Sequence, residues 1–251
     1  MGRVRDYREI AHRLRALPRG EWRVESVGRV WGYPFFFVRR EIDKRVPTVC
    51  LTGGIHGEEP GSVEGVLRWL ENGEWAKWRV NWFVLPCINP YGWERNQRHN
   101  AQRRDINRQF RNPGVCPEAN LVVRLMNGRR FLFVLDHHED VDSPGYYLYE
   151  LWAGPPFLGE RIVAAVSKVI RINHCKVIDG TPATGPGLIR REASIARLKR
   201  RARWPMAYHL FLNGMTHILG SETPVCFPLL QRATAHNVAL RTALSALAHP
   251  G

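Results

Sequence analysis

The chain has 251 residues, 44% of them hydrophobic, and a formal net charge of +14. Its length suits one large domain or two small ones, and a core of that size needs no disulfides. No apolar run approaches the ~18 residues of a membrane span, and the start MGRVRDYREIAHRLRALPRG lacks the apolar core of a signal peptide, so a cytoplasmic location and no membrane partner are expected.

In chain order the sequence predicts an amphipathic helix over 5–17, strands over 22–27, 33–40 and 47–52, and a helix over 60–72. A strand over 80–86, a helix over 117–129, strands over 131–136 and 146–150, and a helix over 156–170 follow. A helix over 205–213, a strand over 216–221 and a helix over 229–247 close the pattern. Pro60 and Pro117 stand where helices begin. Strands and helices alternate through the middle, and 47–52, 80–86 and 131–136 are nearly continuously apolar, as buried strands are. The expected fold is therefore one α/β domain over 1–251, with a mixed, largely parallel central β-sheet flanked by helices.

In such sheets, sites gather at the carboxyl ends of strands. Four polar clusters fall there: GGIHGEE after 47–52, PCINPYG after 80–86, DHHED after 131–136 and GSETP after 216–219. His56 and Glu59 are three apart, so an imidazole nitrogen and a carboxylate share one face of a turn, while Glu58 faces away. A catalytic zinc takes three protein ligands and keeps a fourth position open. The third candidate is His138, which strand alternation puts on one side with Asp136, and His137 on the other. Asp136 is then placed to orient a ligand or substrate from outside.

The five cysteines, Cys50, Cys87, Cys116, Cys175 and Cys226, form no C-x-x-C pair. An odd number in a chain this long points to free thiols in a reducing compartment. A basic excess serves nucleic acid, a membrane surface or an anionic small substrate. Its densest run, RREASIARLKRRARW at 190–204, reads as a solvated face, and it lacks the interleaved aromatics of a base-stacking platform.

The segment 89–110, NPYGWERNQRHNAQRRDINRQF, opens on a turn signal and carries Arg95, Arg98, Arg103, Arg104 and Arg108. Taken in order, H-G-E-E, N-P-x-G, R-x-N-A, D-I-N-R-x-F, D-x-H and E-T-P resemble the zinc metallocarboxypeptidases, over about residues 50–224. The resemblance implies a carboxypeptidase-like, phosphorylase/hydrolase-like fold and one zinc ion held by His56, Glu59 and His138. It implies that Arg98 steadies the scissile carbonyl, that Asn107 and Arg108 grip the substrate carboxylate, and that Glu222 is the general base. Tyr91 stands where the family often has Asp, and Glu139 and Asp140 follow His138 where many members have Ser. Tyr208 is a candidate for the family's substrate-capping tyrosine.

The related branch contains N-acyl amino acid deacylases of the succinylglutamate desuccinylase/aspartoacylase type, which usually carry a further β-rich domain after the catalytic Glu. Fewer than thirty residues follow Glu222. The expected activity is therefore hydrolysis of a peptide or amide bond next to a carboxylate-bearing residue, in a small peptide, with an N-acyl amino acid as the alternative substrate. Binding of nucleic acid through the basic run is the remote alternative from another class. Oligomeric state is open.

Overall fold

The computed structural model describes residues 5–152, 154–192 and 195–248. Among these described residues ten strands run in chain order: β1 (Arg23–Val30), β2 (Tyr33–Arg40), β3 (Thr48–Thr52), β4 (Asn81–Leu85), β5 (Val134–Asp140), β6 (Tyr147–Trp152), β7 (Val177–Ile178), β8 (Thr181–Pro182), β9 (Leu188–Glu192) and β10 (His217–Pro224). Eight α-helices among the same residues accompany them: α1 (Tyr7–Arg15), α2 (Pro60–Glu71), α3 (Pro90–Arg95), α4 (Pro117–Met126), α5 (Gly159–Val166), α6 (Ile195–Arg200), α7 (Met206–Leu212) and α8 (Leu229–Leu247).

Eight strands form one sheet in the order β1-β2-β4-β3-β5-β10-β6-β9. Its centre, β4-β3-β5-β10, is parallel; β1, β2 and β6 join antiparallel, and β9 pairs parallel with β6. This is the expected α/β architecture. Helices cover both faces. Val49, Leu51, Trp82, Val84, Leu135 and Leu219 meet α1, α2, α5 and α8 in one buried layer. Cys50, Phe83, Leu85, Val134 and Ile218 meet α4 and α7 in the other. Since side chains alternate along a strand, each central strand feeds both layers, which explains its unbroken apolar run. Among the described residues no helix is long and apolar enough to cross a membrane, and all five cysteines are free.

Two strands extend past their expected ends. The first, β5, reaches Asp140 and the second, β10, reaches Pro224, paired in parallel from Ile218–Val134 to Pro224–Asp140. DHHED and SETP thus lie inside strands rather than after them. Polar side chains hid the continuation, because these strands bury a site on one face and a polar network on the other. The basic run is also more structured than a solvated face. It holds the end of β9 and all of α6, while residues 193–194 lie outside the described ones.

Candidate metal centre

His56 sits in the loop after β3, and Glu59 is the N-cap of α2. The loop approaches the chain closely there: a Cβ on Gly57 would stand 2.0 Å from the carbonyl carbon of Gly92. Only glycine fits, so H-G-E-E and N-P-Y-G are packed backbone to backbone. Asn89 completes the joint. It caps α3 by accepting from Gly92 N at 2.9 Å, and its amide donates to the Arg98 carbonyl at 3.1 Å. The N-P pair therefore starts a helix, where the sequence suggested a turn, and fixes where Arg98 begins.

His56, Glu59 and His138 meet. Each offers one ligand atom, and these atoms lie within 4.8 Å of one another, all buried. His56 Nδ1 is 2.6 Å from Glu59 Oε1, and His138 Nδ1 is 3.2 Å from Glu59 Oε2. The far nitrogens are backed by aspartates. His138 Nε2 is 2.9 Å from Asp136 Oδ2, and His56 Nε2 is 3.3 Å from Asp105 Oδ1. Asp136 is held in turn by the Thr52 hydroxyl at 2.6 Å.

This arrangement fits a cation. An Nε2–H donated to a carboxylate fixes the tautomer and leaves the Nδ1 lone pair for a metal. Both rings present Nδ1 to the Glu59 carboxylate, and two imidazoles with one carboxylate are a known zinc set. Burial works against charge on His56, but Glu59 and Asp105 outweigh it and raise its pKa. For His138, Asp136, Glu222 and Glu59 overcome burial and hold it well above the ordinary value. Burial would raise Glu59, yet the two imidazoles bring it down to about 2. A cation at Nδ1 would take over the role those protons play.

Glu222 lies on β10 directly beside His138 of β5, with Tyr147 of β6 on its other flank. Its side chain faces the cleft that holds the imidazoles. Burial raises its carboxyl to about 8, with His138 opposing and Glu59 and Asp140 adding to the rise. An acid with a pKa near neutrality can both take and return a proton.

Arg98 donates through Nε and Nη2 to Asp105 Oδ2 at 3.1 and 3.0 Å, and its Nη1 lies 3.9 Å from Glu59 Oε1. Asp105 thus holds both His56 and Arg98. It stays below the ordinary carboxylate range, because His56 and Arg98 overcome its partial burial. Asp105 opens the D-I-N-R motif two residues before Asn107, and that place is its one signal in the sequence.

The site opens into a cleft of about 1140 Å³ lined by Arg98, Asn107, Arg108, Tyr147, Arg191 and Tyr208, among others. The Asn107 side-chain oxygen accepts from Met206 N at 2.8 Å, which leaves its NH2 free to donate. Tyr208 is buried at 8% exposure, and its hydroxyl accepts from Arg191 at 3.2 Å. Arg191 also donates to the Thr181 hydroxyl at 2.6 Å. Among the described side chains no carboxylate lies within 4 Å of Arg108 or Arg191. Part of the basic run therefore lines the cleft, with Arg201 and Arg203 also on its wall. Asp140, Asp142 and Asp179 line it too, so it carries both signs.

A sheet that brings two imidazoles, one carboxylate and a further acid to one strand-end cleft offers the donor set found in metal-dependent hydrolases. The comparisons fall in the same class. Residues 45–167 match the succinylglutamate desuccinylase/aspartoacylase catalytic domain family. No curated protein matches the sequence. Among solved structures, a provisionally assigned metallopeptidase from Shewanella baltica OS155 is 23% identical with a TM-score of 0.80, covering 96% of this chain and 91% of its own. A metallo-carboxypeptidase from Burkholderia cenocepacia is 18% identical with a TM-score of 0.65, covering 95% and 67%. A succinylglutamate desuccinylase/aspartoacylase from Rhodobacter sphaeroides is 16% identical with a TM-score of 0.59, covering 92% and 67%. The resemblance read from the motifs is thus matched by fold and by family model.

Proposed function

We propose that this chain is a zinc-dependent amide hydrolase, cutting a peptide or amide bond beside a carboxylate-bearing residue of a small substrate. The observation that carries this reading is the convergence of His56 Nδ1, Glu59 and His138 Nδ1, with Glu222 on the neighbouring strand. His56, Glu59 and His138 would hold one zinc ion. When bound, such an ion supplies Lewis acidity toward a water and toward the scissile carbonyl. Glu222 accepts the proton of the attacking water on its carboxylate and returns it to the leaving amine. Arg98, oriented by Asp105, opposes the negative charge that grows on the carbonyl oxygen, a role often worth ~3 kcal/mol per donor. Arg108 and the Asn107 amide bind the substrate carboxylate, the guanidinium by two parallel hydrogen bonds. Arg191, with no carboxylate within 4 Å among the described side chains, adds a cation to the same cleft, which favours anionic substrates.

The match over residues 45–167 favours a second substrate class, N-acyl amino acids, handled by the same residues. A screen of zinc-loaded protein against small peptides and N-acyl amino acids separates the two. Chelator-sensitive release of a carboxylate-bearing residue is expected, and its distribution between peptides and acyl compounds assigns the branch. No turnover in either set, with zinc bound, would refute the hydrolase reading. A cytoplasmic setting and small-molecule partners belong to this proposal, and duplex nucleic acid is expected to show no salt-sensitive retention.

A further inference from the structure

We propose that Glu139 is a positioning residue that caps α2 from the neighbouring strand β5, so that the helix's own N-cap residue, Glu59, is left free for the metal. The inference rests on the metal reading above only in taking Glu59 as a ligand.

Helix α2 begins with Glu59 at the N-cap and Pro60 at the first helical position. An N-cap side chain ordinarily accepts a hydrogen bond from one of the next backbone N–H groups. The Glu59 side chain makes no such bond, because its two oxygens face His56 and His138. Pro60 has no N–H, so the first amide needing a partner is that of Gly61. It is buried, and a buried donor left without an acceptor is destabilising.

Glu139 fills the role. Its Oε2 accepts from Gly61 N at 2.6 Å. Its Oε1 pairs with the Arg232 guanidinium of α8 and accepts from the Thr223 hydroxyl at 3.3 Å. The Glu139 side chain is fully enclosed, with Arg232 at 8% exposure beside it. The helix is cut to receive it: a Cβ on Gly61 would stand 2.2 Å from Glu139 Oε1. A carboxylate at this end also meets the positive end of the helix dipole.

Alternation gives the strand two tasks. His138 points into the metal centre and Glu139 points the other way, into the helix that carries Glu59. Without Glu139, the orphaned amide and Glu59 would be drawn to each other, and the ligand carboxylate would divide between capping and coordination. Loss of such outer support typically weakens metal binding 10–100-fold.

The test compares two double substitutions, because removing one charge alone would strand its buried partner. E139Q/R232M keeps an oxygen for Gly61 N and removes the ion pair; E139L/R232M removes both. Zinc affinity is measured by competition with a chromophoric chelator, and the visible spectrum is recorded for the cobalt(II) form. E139L/R232M should bind zinc about 10–100-fold more weakly with an altered cobalt spectrum, and E139Q/R232M should stay near wild type. Wild-type affinity and spectrum in both, whatever their melting temperatures, would overturn the proposal. Should E139L/R232M not fold, the same titration on G61A, which pushes Glu139 off the helix, shows the weakening or refutes it. A wild-type protein that takes up neither zinc nor cobalt would instead remove the metal reading itself.

Discussion

Replacing Glu222 by Gln should abolish turnover and, in ion-free protein, strengthen the fold. The two effects have one source. In the ion-free cleft the carboxyl titrates near 8 against an ordinary 4.5, since burial and the nearby Glu59 and Asp140 disfavour its charge. Between those values the folded chain holds a proton that the unfolded chain has released, so stability falls as pH rises through that window. At pH 7 the penalty amounts to about two and a half pH units, up to ~3 kcal/mol, and partial water access to the cleft reduces it. Glutamine has the same shape and no charge, so it escapes the penalty. A bound cation compensates the wild-type charge, so the gain should shrink when zinc is added. The assay is urea unfolding at pH 5, 7 and 9, with chelator and with zinc, beside hydrolysis of the best substrate. Activity should fall about 10²–10⁴-fold, as for loss of a general acid–base group. A variant that is less stable than wild type without metal at pH 7, or one that retains full activity, would refute the assignment of Glu222.

Three other predictions follow from the same packing. Gly57→Ala forces a Cβ to 2.0 Å from the Gly92 carbonyl carbon, so it should cost ~3 kcal/mol or more in urea unfolding and weaken zinc binding, and a neutral result would mean the two motifs do not share that joint. His56 and His138 hold protons more tightly than ordinary imidazoles in the ion-free site, so zinc uptake at pH 7 should release protons and tighten as pH rises. Calorimetry in buffers of different ionisation enthalpy measures that release, and none at all would contradict the ligand set. On the far face His137 stacks on His236 at 4.3 Å; burial above all holds His137 at about 3 and His236 well below 6.5, and His137, His138 and Arg232 press His236 down further. Below about pH 6.5 the unfolded chain binds protons that these two refuse, so stability drops as pH is lowered, by up to ~1.4 kcal/mol per pH unit for each. His236→Gln should flatten the acid limb of stability relative to wild type, and an unchanged limb would show that His236 is not neutral in the fold.

Sequence pattern was most informative where one physical rule acted alone. The strand at 33–40 and the helix at 229–247 appear with the expected ends, because apolar runs and helical spacing are uninterrupted there. The β5 and β10 extensions were obscured by His137, His138, Glu139 and Glu222, polar residues that a strand interior rarely carries unless it serves a site. Charge density masked β9 and α6. Spacing alone paired His56 with Glu59 and placed His138 opposite His137, because alternation and turn geometry are local. Asp105 and Arg191 join the site through contacts between distant segments, Asp105 with His56 and Arg191 with Tyr208, and no local period encodes those.

The two-sided strand β5 also limits how this scaffold can vary. Side chains along it have period two, so sliding its pairing by one residue would send His137 toward the Glu59 carboxylate and aim His138 at the helix. Insertions there would dismantle chemistry and architecture together. The short β7–β8 hairpin and the described residues from β9 to α7 form a wall of the same cleft, through Thr181, Arg191, Arg203 and Tyr208. That wall supplies none of the His56, Glu59 and His138 cluster, so it has room to diverge while the cluster stays in place.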